Sequence, residues 1–271
     1  MDVHQNIKCG PETKVIPTFV DFVENWENKY ENIFDILKES GINKNLIHLS
    51  LAGFINRIMT SRGLKAPRMC AKDPDIVKHL IFMHELFPKA KFIYMVRDGR
   101  AASYSLINQI FNHQTENLYA SHLKIWYQFN LQTERQCQKI GPDHCLIVKY
   151  EDLVLHPENT IKKVMSFLNE PFNDRLLKHY AYLNEIKISK SEWSSHQIVK
   201  PIHTESLTKW VGKIKLTDEK IGFIYPLLEK FNYSLDLNSL NYNENQADKL
   251  VIENNKLIEQ NRTYWENILK E

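Results

Sequence analysis

Glycine is scarce in this chain, with 8 among 271 residues, and no glycine-rich phosphate loop can be read from it. Neither GxxxxGK[ST] nor GxGxxG occurs anywhere, so a nucleotide site built wholly from this sequence would lack its usual phosphate cradle. No stretch approaches the roughly 20 continuous apolar residues of a membrane span. No CxxC pair suggests zinc or a redox motif. Charge is nearly balanced, 35 basic against 33 acidic residues for a net +2, which argues against a general nucleic-acid binder. Low-complexity runs are missing, and 43% hydrophobic residues exclude a disordered chain. The opening, MDVHQNIKCG, has neither the charged n-region nor the apolar h-region of a signal peptide; taken alone, it points to the cytosol.

What is present is a succession of helices and buried strands. Apolar positions Phe19, Phe22, Val23, Trp26, Tyr30, Ile33, Phe34 and Leu37 recur at three and four, predicting an amphipathic helix from Ile16 to Leu37 with Pro17 in its first turn. A second helix is predicted over Leu46 to Met59. The segment APRMCAKDP follows, ended by a proline expected to halt further regular structure. KAKFIYMV and HCLIVKY (144–150) are continuous apolar runs of strand length, the pattern of strands buried on both faces. A helix is predicted from about Glu158 to Leu168, ended by Pro171, and another capped by Thr217. Strands alternating with helices predict an α/β fold with a parallel sheet. No repeat or linker divides the chain, so one domain is expected over 1–240. A polar, weakly helical extension is expected over 241–271, its stripe running through Leu250, Leu257 and Ile258.

Parallel α/β sheets bind ligands beyond the carboxyl ends of their strands, and Lys72, Arg97 and Tyr150 fall there. Arg97 with Gly99 opens a helix whose free N–H groups favour an anion, although an arginine pairing with Asp73 or Asp98 would explain the same residue. Residues 189–210 are rich in hydroxyls, amides and lysines. They suit either a cover for a phosphorylated ligand or plain surface. The four cysteines, Cys9, Cys70, Cys137 and Cys145, are even in number, and buried free thiols account for them equally well. Two N-x-[ST] sequons, at Asn232 and Asn261, are no more than chance supplies.

The motifs CGPETKVIP, CAKDP, MVRDGRAASYSLI, VKYEDLVLHPE and SSHQIVKPIHTESLTKWVGKI follow one another in the order, and near the spacing, of the protein-tyrosine sulfotransferases. The chain resembles that family over roughly residues 2–235, whereas its last 30 residues do not clearly match. The resemblance implies a sulfotransferase fold related to P-loop kinases, with a parallel sheet flanked by helices. It implies transfer of sulfate from 3′-phosphoadenosine 5′-phosphosulfate to the phenol of tyrosines in acidic contexts of secreted or membrane proteins, without a metal. By the same match Glu12 is the general base, Lys72 and Ser194 stabilise the transferred group, and Arg97 and Ser105 hold the 3′-phosphate. Tyr150 and Lys209 are further donor contacts, and Ser195 to His203, with Gln197 and Lys200, form the loop over the adenosine. Lys14 is a substrate contact. Cys9 with Cys70, and Cys137 with Cys145, match the family's two disulfides, in the lumen of the Golgi. The family's homodimer is expected as well.

The departures from the family pattern are specific. Thr18 stands where the family has an arginine that reads acidic substrates, Gln109 replaces a donor-binding arginine, and Pro11 replaces the first Glu of CG-E-E-T. The family's P-R-S-G-T-T loop, first strand and membrane anchor would precede Met1. The resemblance therefore implies an N-terminally incomplete type II membrane protein whose residues 1–271 alone would turn over poorly. A carbohydrate sulfotransferase and a non-catalytic binding remnant are the competing readings.

Overall fold

The computed structural model describes residues 1–30, 32–63, 65–110, 115–189, 192, 195–213, 217–236 and 239–268. Its strands pair in parallel, as the alternating pattern predicts. β1 (Ile7–Lys8) runs beside β2 (Arg68–Met69), with Ile7 opposite Arg68 and Lys8 opposite Met69. β3 (Phe92–Val96) runs beside β4 (Cys145–Lys149), in register from Phe92 opposite Cys145 to Val96 opposite Lys149. A parallel pair needs a long crossover, supplied between β3 and β4 by the helices Gly99–Ile110 and Glu116–Ile140.

The main core gathers Tyr94 and Val96 of β3 with Ile107, Leu123, Ile221, Ile224, Leu227 and Leu228. Burial of each such aliphatic side chain contributes about 1.5–3 kcal/mol. A second cluster joins Ile16 and Val20 of helix Val15–Lys29 to Leu51, Ile55 and Met59 of helix Lys44–Ser61, over Phe82, Met83 and Leu86. The Lys44–Ser61 helix starts where Asn43 accepts a hydrogen bond from the Leu46 N–H at 2.9 Å.

Several expectations need correction. The predicted Ile16–Leu37 helix is two, Val15–Lys29 and Ile33–Leu37. Tyr30 is extended between them, and Phe34 meets Trp26 edge-on with centroids 6.0 Å apart. The apolar stripe continues across a turn rather than along one rod. Pro74 does not halt regular structure but opens the 3-10 helix Pro74–His79, where its missing N–H leaves no bond unmade. The helix Pro157–Leu168 ends on left-handed Asn169 (φ 56°) before Pro171 is reached. β3 is not buried on both faces, since Met95 is 45% exposed. In the 241–271 segment, helix Lys249–Gln260 buries Ile258 as the stripe predicts, but its other buried positions are Val251 and Asn254, while Leu250 and Leu257 are half-buried. Asn254 and Asn255 set that rotation, donating to the Ile202 carbonyl and the Thr204 hydroxyl, both at 2.9 Å.

Candidate active site

The parallel pairing of β1 and β2 puts both carboxyl ends on one side. The next residue of each strand is a cysteine, and Cys9 and Cys70 form a disulfide with Cα atoms 4.4 Å apart. Glu12 and Lys72 emerge just beyond it. Lys72 Nζ lies 3.8 Å from Glu12 Oε1. The loop that carries Glu12 is held by two carboxylates from elsewhere. Asp73, 5% exposed, accepts from Thr13 N–H (2.8 Å), Thr13 Oγ1 (2.7 Å) and Lys14 N–H (2.9 Å). Glu192 accepts from Glu12 N–H at 2.8 Å and is ion-paired with Lys72. Burial pushes the Glu192 carboxyl up, but the Lys72 hydrogen bond, the Glu12 N–H and the nearby Lys14 outweigh it and hold it below the ordinary carboxylate range. Arg62 donates to the Cys9 carbonyl at 3.2 Å and to that of Pro11.

The second cluster stands at the carboxyl ends of β3 and β4. Arg97 follows Val96 and Tyr150 follows Lys149, so the parallel register brings them together. The guanidinium lies 4.7 Å from the centroid of the Tyr150 ring and donates to the Ser206 carbonyl at 2.6 Å. Trp126 Nε1 donates to the Arg97 carbonyl at 3.1 Å. The alternative ion pairs for Arg97 are taken by others: Asp98 is paired with Arg100 at 2.7 Å, both side chains fully buried, and Asp73 serves Thr13 and Lys14. Beneath, Glu151 accepts from Asp98 N–H at 3.0 Å and from Tyr233 Oη at 2.7 Å. Burial pushes the Tyr150 phenol up, opposed by Arg97 and a hydrogen bond to Ser206. Arg97 Nε is buried without a hydrogen-bond partner among the described residues, an unspent cationic donor that fits an anionic ligand.

The remaining residues singled out by the sequence stand at the following positions. Ser105 is half-buried in the second turn of the Gly99–Ile110 helix. Ser195 is buried at the start of the short helix Ser195–Ile198. Within that turn Gln197 contacts His196 at 3.0 Å, and Lys200 N–H donates to the Gln197 carbonyl at 3.2 Å. Lys209 is paired with Glu205 at 2.8 Å, one turn beyond the Ser206 carbonyl that Arg97 holds. Lys14 is exposed, its backbone left-handed at φ 55°, and Thr18 Oγ1 donates to the Lys14 carbonyl at 2.8 Å. Gln109 is exposed near the end of its helix. Ser194 lies outside the described residues. Cys137 and Cys145 form the second disulfide, eight residues apart in sequence. Glu192 and Asp73 carry more of the site's bonding than the sequence reading gave them. The one available signal was that Glu192 is the only acid between Ser189 and Thr204.

Three comparisons show what the chain is similar to. Residues 1–174 match the sulfotransferase family. In fold, 86% of the chain superposes on 88% of the sulfotransferase domain of the Synechococcus PCC 7002 olefin synthase, with TM-score 0.59 and 21% identity. Among curated proteins, it is 36% identical to the Drosophila melanogaster protein-tyrosine sulfotransferase over the whole chain and 55% of that protein. It is 34% identical to protein-tyrosine sulfotransferase A of Caenorhabditis elegans over 98% of the chain and 70% of that protein. It is also 34% identical to human protein-tyrosine sulfotransferase 1, over the whole chain and 74% of that protein. The similarity thus runs past residue 235 and takes in the last 30 residues, which the motifs alone had not matched. A transferase family therefore claims this chain: it belongs to the protein-tyrosine sulfotransferases.

Proposed function

We propose that the protein transfers a sulfuryl group from 3′-phosphoadenosine 5′-phosphosulfate to the phenol of tyrosines in protein substrates, with Glu12 as general base. The observation that carries this reading is the meeting of Glu12 and Lys72, 3.8 Å apart, at the joined ends of two parallel strands. A phenol with pKa near about 10 is a weak nucleophile at neutral pH unless a base lies in reach. The donor supplies the sulfuryl group as a mixed anhydride with its 5′-phosphate. Glu12 takes the phenolic proton as the phenol oxygen bonds to sulfur and the bond from sulfur to the phosphate oxygen breaks. Lys72 balances the negative charge gathering on the sulfuryl and leaving oxygens, as fixed cations do in phosphoryl transfer. Ser194 is proposed as a hydroxyl donor to the same group.

Arg97 and Ser105 would hold the 3′-phosphate, a role supported by the unpartnered Nε of Arg97. Tyr150, Ser195, Gln197, Lys200 and Lys209 would line the rest of the nucleotide. Lys14, exposed beside Glu12, would meet acidic side chains flanking the target tyrosine. Two disulfides suit an oxidising compartment, in line with a lumenal Golgi enzyme acting on secreted or membrane proteins, as a homodimer. Among the described residues no helix is long and apolar enough to cross a membrane.

The test is an assay of the intact protein with sulfur-labelled donor and an acidic tyrosine peptide. Label on the phenol is expected. Glu12→Gln should lower turnover by about 10²–10⁴-fold while 3′-phosphoadenosine 5′-phosphate still binds. Label on a glycan instead would overturn the acceptor, and near-wild-type turnover in the variant would move the base elsewhere.

A further inference from the structure

Glu192 is 7% exposed and lies in a segment, 189–210, rich in hydroxyls and lysines. One of its oxygens is ion-paired with Lys72 and the other accepts the Glu12 N–H at 2.8 Å. A single carboxylate thus bridges the two residues proposed to act on the transferred group and its acceptor. The main chain of Glu192 is fixed in turn: its N–H donates to the Ser189 carbonyl at 3.1 Å, and its carbonyl accepts from Ser195 N–H at 3.0 Å. Lys72 is in hydrogen-bond contact with Glu192 but stands 3.8 Å from Glu12, the outer edge of an ion pair.

We propose that Glu192 is a positioning residue that draws Lys72 off Glu12 and holds the Glu12 main chain, so that the base stays free to accept a proton. The proposal rests on the reading of Glu12 as base. Several charged groups surround Glu12. Lys14 follows it in the loop, Asp73 grips the Thr13 and Lys14 N–H groups, and Arg62 holds the carbonyls of Cys9 and Pro11. Lys72 and Glu192 complete the set. Of these, Lys72 is the cation whose side chain reaches the Glu12 carboxylate. Closed fully onto Glu12, it would stabilise the carboxylate and weaken it as a base. Ionised Glu192 offers the ammonium a closer partner and prevents that collapse. It also leaves Lys72 short of the base, placed to turn toward an incoming anion.

The experiment compares Glu192→Gln and Glu192→Asp in the intact protein, with kcat and KM followed over about pH 4 to 8. In Glu192→Gln, Lys72 should close on Glu12. We expect kcat to fall by on the order of 10²-fold and the acid limb of kcat/KM to move to lower pH. Affinity for 3′-phosphoadenosine 5′-phosphate should stay within about twofold, as for loss of an interaction outside nucleotide binding. Glu192→Asp, which keeps the charge, should recover the limb. Wild-type kcat with an unmoved limb would overturn the proposal. A fall in kcat with the limb unmoved and no rescue by aspartate would also overturn it, assigning Glu192 to structure alone. Should Glu192→Gln fail to fold, Lys72→Gln is compared with Lys72→Gln/Glu192→Gln, which leaves no unpaired buried charge. Less than about twofold between them supports action through Lys72, and a further large fall refutes it. Glu12→Gln, run in parallel, separates the readings: if it keeps turnover, the base assignment fails whatever Glu192 does.

Discussion

The indole of Trp126 lies 2.5 Å from the point that a Cβ on Gly99 would occupy, with two further ring atoms within 2.8 Å. The same indole donates to the Arg97 carbonyl at 3.1 Å. Glycine is therefore required at 99 by the ring and not by backbone strain, and the ring in turn fixes the end of β3. Gly99→Ala should destabilise the protein by about 1–3 kcal/mol through overpacking, and should weaken nucleotide binding because Arg97 moves with the displaced indole. Urea unfolding and calorimetry with 3′-phosphoadenosine 5′-phosphate check this. Unchanged values in both would mean that the ring has room to shift.

Arg97 is expected to contribute to donor binding through charge and fork geometry together. Arg97→Met removes a charge-assisted hydrogen bond, typically worth about 1.5–3 kcal/mol, so nucleotide affinity should fall roughly 10- to 150-fold. Arg97→Lys should recover only part of this, since an ammonium cannot both reach the Ser206 carbonyl and lie against the Tyr150 ring. Full recovery by lysine would reduce Arg97 to a simple point charge.

The two disulfides should differ in what their loss costs. Cys9 and Cys70 are 61 residues apart and Cys137 and Cys145 are 8 apart. Loop-closure entropy then gives about 4 kcal/mol for the first and about 2.6 kcal/mol for the second. The first also holds the β1 and β2 ends from which Glu12 and Lys72 emerge. Cys70→Ser should therefore lower turnover as well as the unfolding midpoint, while Cys137→Ser should lower mainly the midpoint. Denaturant melts with parallel rate assays separate the two. Equal losses of activity would break the link between the first bridge and the site.

Much of this site was legible because strand ends announce themselves. The apolar runs that became β3 and β4 stop at Arg97 and Tyr150, so a parallel sheet brings those side chains together without further information. Glu12 was harder. β1 and β2 have two residues each, too few to show any period; Lys72 could still be placed beyond a strand end, whereas only the family motifs brought Glu12 forward. Glu192 escaped altogether. Its partners are 120 and 180 residues away, and a single acid in a polar loop carries no pattern of its own. The rotation of the Lys249–Gln260 helix was hidden for a related reason. Asn254 is buried because a carbonyl at Ile202 receives its amide, which no scale of residue polarity encodes.

The last prediction concerns pH. The His203 imidazole is 8% exposed and donates from Nδ1 to the Pro201 carbonyl at 2.8 Å. Burial pushes its proton affinity down, helped by Lys200 and Lys209 and opposed by the Pro201 contact and Glu205. An unfolded histidine takes up a proton near about pH 6.5, whereas the folded one resists until lower pH. Between those points the unfolded chain binds more protons, so stability falls as pH drops below about 6.5, by at most about 1.4 kcal/mol per unit for each such group. His179, lowered chiefly by burial as well, adds to the same slope. Glu192 and Glu205 are held below the ordinary carboxylate range, so their contribution is lost only at more acid pH and in a separate window. His203→Asn keeps a donor at the δ position for Pro201 and removes the titration. Urea midpoints at about pH 7.5, 6.5 and 5.5 should therefore fall less in the variant than in the wild type. Identical slopes would take His203 out of the acid sensitivity and leave it to His179.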